Sequence, residues 1–151
     1  MRKSLLLIMA ATLVNAVYAE PSTGGPTGGK LLENTPPRAE FFVNAERKVE
    51  VRLFDDDLKA VPAADQVVSV IAEAPAGKTT LALTNSAGML VSTAALPEGD
   101  GYNVVVQIRA TADAKPQNFR VALHTETCAG CQRAEYACTC ESHGGGDVHG
   151  H

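Results

Sequence analysis

The sequence predicts an all-β protein: a single immunoglobulin-like antiparallel β-sandwich of about seven strands, with a flexible N-terminal leader and a Cys/His-rich C-terminal tail. Three observations carry this. Seven short apolar or alternating runs fall within residues 38–125, each of strand length. Pro62, Pro75, Pro97 and Pro116 fall between the runs, where a missing amide donor breaks no ladder. No stretch there repeats its apolar residues with the 3.6-residue period of an amphipathic helix. A closed barrel is the second choice for the same pattern.

The first element is an export signal. Arg2 and Lys3 give a basic start, Leu5 to Val14 is an almost unbroken apolar run, and Val17 and Ala19 stand three and one positions before Glu20. That layout predicts a signal peptide over residues 1–19 and a periplasmic or secreted destination. The run is about half the roughly 20 residues that a membrane-crossing helix needs, so no transmembrane segment is expected after its removal. No Cys follows the cleavage point to carry a lipid.

Charge and aromatic content then exclude partners. Loss of Arg2 and Lys3 lowers Lys plus Arg from 13 to 11 against 17 Asp plus Glu, and moves the net charge from −4 to −6. A nucleic-acid backbone would repel such a chain. Trp is absent and aromatics are 5% of residues, which leaves little to stack on bases.

Residues 20–37, rich in Gly, Pro, Ser and Thr, are expected to form a disordered leader, because they hold too little apolar surface to offset ordering. Residues 38–125 form the β domain. Its expected strands lie at 40–43, around the alternating Val49, Val51 and Leu53, and at 66–72, 79–85, 89–93, 102–110 and 118–123. Residues 96–102 resemble a tyrosine corner, in which the Tyr102 hydroxyl bonds back to upstream backbone at a Greek-key crossing.

Several familiar chemistries are excluded. Gly24 to Lys30 has the spacing of a phosphate loop, but Leu31 replaces the hydroxyl residue and no strand precedes it. Ala72 to Thr79 fits the permissive pattern, yet the alternation after Lys78 predicts a strand and not the helix whose N-terminus would face phosphate. Asp55, Asp56 and Asp57 lack the Gly and distal Glu of a dedicated calcium loop and read as a solvated turn. His124 borders the β module with no nucleophile elbow to serve, so it reads as structural and no enzyme is expected.

The chemistry concentrates in the tail, residues 126–151. All four Cys and all four His lie between His124 and His151. Cys128, Cys131, Cys138, Cys140 and His143 form C-x2-C-x6-C-x-C-x2-H, followed by His149 and His151 after a Gly-rich spacer. Gln132 after Cys131 rules out a c-type haem attachment, and no βαβ context supports a thioredoxin-like pair. Two claws of thiolates predict capture of Cu(I) or Zn, with His143, His149 and His151 as further donors. The function that follows is metal sequestration or delivery, with an envelope transporter or client apo-protein as partner. The alternative is a structural or interaction module stapled by two disulfides, for instance Cys128 to Cys140 and Cys131 to Cys138, without a metal. Tyr136 and Val148 are the tail's only sizeable apolar side chains, so the β domain is expected to fold without it.

Overall fold

The structure, a computed structural model, describes residues 23–32 and 37–140. The signal peptide expected over 1–19 and the three tail histidines His143, His149 and His151 lie outside the described residues. Among the described residues nine strands form: β1 (Lys30–Leu31), β2 (Arg38–Val43), β3 (Val49–Phe54), β4 (Ala60–Val61), β5 (Val67–Ala74), β6 (Gly77–Ser86), β7 (Met89–Ser92), β8 (Tyr102–Arg109) and β9 (Gln117–Leu123). All seven expected strands are present, and β1 and β4 are two-residue additions. One 3-10 turn, Glu135–Ala137, follows β9.

Every pairing is antiparallel, along the path β1-β2-β3-β7-β6-β5-β8-β9 with β4 beside β3. Strand β6 turns the corner. Its residues 77–82 pair with β5 and its residues 83–86 pair with β7, so the sheet curls around its apolar side chains. The all-β antiparallel class expected from the sequence is therefore what forms. Its hydrogen-bond path runs through β6 without the break that would divide two separate sheets.

Alternation decides which side chains enter the core. In β8, Tyr102, Val104, Val106 and Ile108 are buried while the residues between them are more exposed. Val49 and Val51 of β3 and Val70 of β5, the last paired with Val106, are fully buried in the same core. Each such side chain contributes about 1.5–3 kcal/mol by leaving water.

The turns follow from local chemistry. Asn44 and Asp55 each accept two main-chain amides on one side-chain oxygen, from residues two and four further on, at 2.9–3.0 Å. Arg47 and Leu58 take up the left-handed backbone that closes each turn. The Asp55 carboxylate is thus occupied by its own turn. Pro75 and Ala76 make the two-residue turn between β5 and β6, and a strand leaves Gly77, so no helix faces a phosphate there.

The tyrosine corner is present. The Tyr102 hydroxyl donates to the Pro97 carbonyl at 2.7 Å, and Arg47 Nη2 donates to the same oxygen at 2.6 Å.

Two sequence expectations change. Residues 23–32, placed in a flexible leader, are ordered against β2: Lys30 pairs with Phe41 and Leu31 with Glu40. The reason is a buried carboxylate. Glu40 is fully buried and accepts the amides of Gly29 at 2.7 Å and Thr27 at 3.0 Å, and the Thr27 hydroxyl at 2.9 Å. Gly25 permits the approach, since a Cβ there would stand 2.3 Å from the Glu40 carboxyl carbon. The second change concerns the boundary at residue 125. Tyr136 and Ala137 belong to the core, so the first part of the tail is built into the domain.

Candidate metal centre

The segment after β9 folds back along the domain by main-chain bonds. Glu135 N–H donates to the Glu126 carbonyl at 2.8 Å and Tyr136 N–H to the His124 carbonyl at 2.9 Å, with Thr127 bridged to Ala134. Between these arms lies a tight turn. Cys128 N–H donates to the Arg133 carbonyl at 2.7 Å, and Gln132 N–H to the Cys128 carbonyl at 2.9 Å. Gln132 takes a positive φ of 60° to close it. The 3-10 turn then seats Tyr136 edge-on against Phe41, ring centroids 5.4 Å apart, and delivers Cys138 and Cys140 to face the first claw.

The four sulfurs converge. Their Sγ atoms all lie within 4.8 Å of one another. Cys138 stands 3.3 Å from Cys128, Cys131 3.7 Å from Cys138, and Cys128 3.8 Å from Cys140. Four sulfurs placed tetrahedrally at the Zn–S distance of about 2.3 Å are about 3.8 Å apart. The cage therefore needs adjustments of about an ångström or less to hold such an ion. Cys128 and Cys138 are buried, and Cys131 and Cys140 are partly exposed. Gly130 makes the closure possible, because a Cβ there would stand 2.8 Å from Cys140 Sγ.

Disulfides do not form in this arrangement. The pairs proposed for a stapled hook, Cys128 with Cys140 and Cys131 with Cys138, stand 3.8 and 3.7 Å apart, whereas bonded sulfurs stand at about 2.05 Å. The physical reason is that the main-chain turns bring four sulfurs to one centre instead of pressing two pairs together.

Electrostatics divides the thiols. Main-chain amides of Thr139 and Arg133 donate to Cys131 Sγ and, aided by the neighbouring thiols of Cys138 and Cys128, bring its pKa down to about 6. Cys138 receives the Cys140 amide at 3.4 Å, which favours its thiolate. Desolvation and the thiols of Cys128 and Cys131 outweigh that contact and raise its pKa. Cys140 is pushed up to about 12, first by hydrogen bonding with Cys138, Cys128 and Cys131 and then by desolvation. Cys131 is therefore the readiest of these three to become a thiolate, and a cation entering such a cage displaces protons from its thiols.

Of the seven predicted ligands, the structure brings together Cys128, Cys131, Cys138 and Cys140; His143, His149 and His151 lie outside the described residues. His124 faces Asp100 at 3.8 Å, apart from the cage. Sequence reasoning missed Arg133 and Gly130, and noted Tyr136 without its anchoring role. The anchor was the one to find, as an aromatic residue isolated in a polar segment with no solvent role. Arg133 gave no signal, since its role depends on the distant Gly25 and Gly29.

Comparison of the chain with known protein families, with characterised proteins and with solved structures returns no match. The case for a function rests on the cage.

Proposed function

We propose that the protein is an exported, non-enzymatic metal-binding protein that holds one thiophilic ion, Zn or Cu(I), through Cys128, Cys131, Cys138 and Cys140. The observation that carries this reading is the convergence of four sulfurs within 4.8 Å on a segment tied to the core. Among the two metals, the geometry favours Zn. Zn fills a tetrahedron of four thiolates, and three of the six sulfur separations, 3.3–3.8 Å, come close to that figure, with all six within 4.8 Å. Cu(I) prefers thiolates even more strongly but is often satisfied by two or three.

The reading covers sequestration or delivery, and the burial of the site supports slow release. Two of the four donors are buried, and the segment that carries them shares its aromatic anchor with the core. In this reading His143, His149 and His151 are auxiliary donors, and the curled sheet, with the immunoglobulin-like layering expected of it, is the scaffold that presents the site. Export rests on the basic and apolar pattern of residues 1–19. An envelope transporter or a client apo-protein is the partner class for such a carrier. No described helix is long and apolar enough to cross a membrane.

The test is metal content. The protein is purified without a tag under reducing, anaerobic conditions, and its mass is measured with and without added Zn or Cu(I). One equivalent bound more tightly than micromolar is expected, with loss in a Cys128→Ser, Cys138→Ser double variant. Absence of binding to both metals would overturn the proposal. Thiol counting on freshly isolated protein addresses the stapled alternative: two disulfides and no metal would establish it.

A further inference from the structure

Arg133 belongs to two structures at once. Its main chain forms part of the cage wall: the carbonyl accepts Cys128 N–H at 2.7 Å, and the amide donates to Cys131 Sγ. Its guanidinium reaches the N-terminal segment, where Nη1 donates to the Gly25 carbonyl at 3.1 Å and the Gly29 carbonyl at 3.3 Å. Gly25 and Gly29 are both buried, and Gly25 N–H donates to the Gly29 carbonyl at 2.8 Å, so the two acceptors lie on one closed loop.

The second arm of the cage meets the same segment. A Cβ on Gly24 would stand 2.7 Å from Thr139 Cγ2 and 2.8 Å from Arg133 Nη1. Residues 133 and 139, one beside each pair of cysteines, therefore form the floor on which residues 23–32 lie. On its other side that segment is held by Glu40 through Gly29 and Thr27. Sulfur contacts alone bind the two cage arms weakly. An ion bonded to all four sulfurs fixes their separation, and with it the spacing of Arg133 and Thr139.

We propose that Arg133 is a positioning residue that couples ion binding in the cage to docking of residues 23–32, so that each strengthens the other. This rests on the metal-binding reading above and specifies how the site is regulated: release of the N-terminal segment loosens the cage, and the ion locks the segment down. The coupling is reciprocal, because whatever factor the ion adds to docking, docking adds to ion affinity.

The experiment measures amide hydrogen exchange in residues 23–32 of the full protein with and without Zn, and Zn affinity by competition with a chromophoric chelator. In the unsubstituted protein Zn is expected to slow exchange at Gly25, Thr27, Gly29 and Leu31. Arg133→Ala keeps the main-chain contacts to Cys128 and Cys131. It is expected to bind Zn roughly tenfold more weakly, within the range of allosteric couplings, with exchange in 23–32 no longer responding to the metal. Arg133→Lys, which keeps the charge, is expected to recover part of both effects. Gly24→Val, which crowds the Thr139 and Arg133 side chains, should reproduce the loss with all four cysteines and Arg133 unreplaced. If Zn binds the unsubstituted protein and exchange in 23–32 stays unchanged, or if Arg133→Ala and Gly24→Val retain the full response, the coupling is wrong and the metal site stands. If Zn does not bind at all, both fall.

Discussion

The Val43 amide, at the end of β2, donates a 2.9 Å hydrogen bond to the hydroxyl of Tyr136, 93 residues later in the chain. This bond and the edge-on contact with Phe41 carry the cysteine segment onto the core. Burial holds the Tyr136 hydroxyl above its ordinary pKa, with the charges of Glu40 and Glu50 acting in the same direction against the Val43 amide. Tyr136→Phe should cost about 1 kcal/mol in urea unfolding, the worth of a partly buried hydrogen bond. Tyr136→Ala should cost about 3–5 kcal/mol through the lost aromatic volume. Truncation after Thr125 should destabilise at least as much as Tyr136→Ala. An unfolding midpoint unmoved by truncation would show that the β domain is independent after all.

Glu40 supports a separate prediction. Replacing it by Ala leaves the Gly29 and Thr27 amides without their acceptor, so a loss of about 1–3 kcal/mol is expected in the same assay. Gly25→Ala should be destabilising for the opposite reason, since its new methyl overlaps the Glu40 carboxyl group. Stability equal to the unsubstituted protein in both variants would mean that residues 23–32 are not held by this carboxylate.

How much of this was legible beforehand varied with the kind of signal. Seven strands could be read because half-buried strands write their burial into every second residue, as β8 does from Tyr102 to Ile108. The two-residue strands β1 and β4 are too short for any period to register. The four cysteines could be read from spacing alone, because a metal site needs particular atoms at close quarters. The order of residues 23–32 could not. Gly and Pro composition measures apolar burial, whereas this segment is held by main-chain amides around a carboxylate from another element. The packing of the segment beyond residue 125 was hidden likewise, because one buried tyrosine ties polar neighbours to the core.

On the proposed function, the cage sets a pH dependence for metal uptake. Cys131, at about 6, is the thiol most ready to bind, while Cys138 and Cys140 must lose protons held above the ordinary thiol range. Zn affinity should therefore fall steeply as pH drops through 6, and binding at neutral pH should release protons. Titration calorimetry in buffers of different ionisation enthalpy counts those protons. In the metal-free protein, the depressed pKa of Cys131 contributes stability that is present above the ordinary thiol pKa of 9.0 and lost as pH falls through about 6. The raised pKa of Cys140 works in reverse, with its contribution present below 9.0 and lost as pH rises through about 12. Affinity independent of pH between 5 and 8 would contradict a thiolate site.

Glu73 offers an electrostatic test away from the cage. Lys78 at 3.0 Å and Arg120 flank its carboxylate, joining β5, β6 and β9, and their hydrogen bonds hold its pKa below the ordinary 4.5. A depressed carboxylate pKa contributes stability above the unfolded value that disappears as pH falls through the folded one. Glu73→Gln should thus narrow the gap between stability at pH 7 and at pH 3. The effect should shrink in high salt, because the partners are exposed. An unchanged difference between the two pH values would remove Glu73 from the account.

The strand path places β1 and β9 at opposite ends of the hydrogen-bonded ribbon, yet the cysteine segment leaves β9 and lies against both β1 and β2. The ribbon is therefore fastened end to end, like a strap by its buckle. Tyr136 and Arg133 lie within that fastening, bonded to β2 and to residues 25 and 29. An ion bound as proposed would add its bonds to four sulfurs to the segment that joins the two ends of the described ribbon.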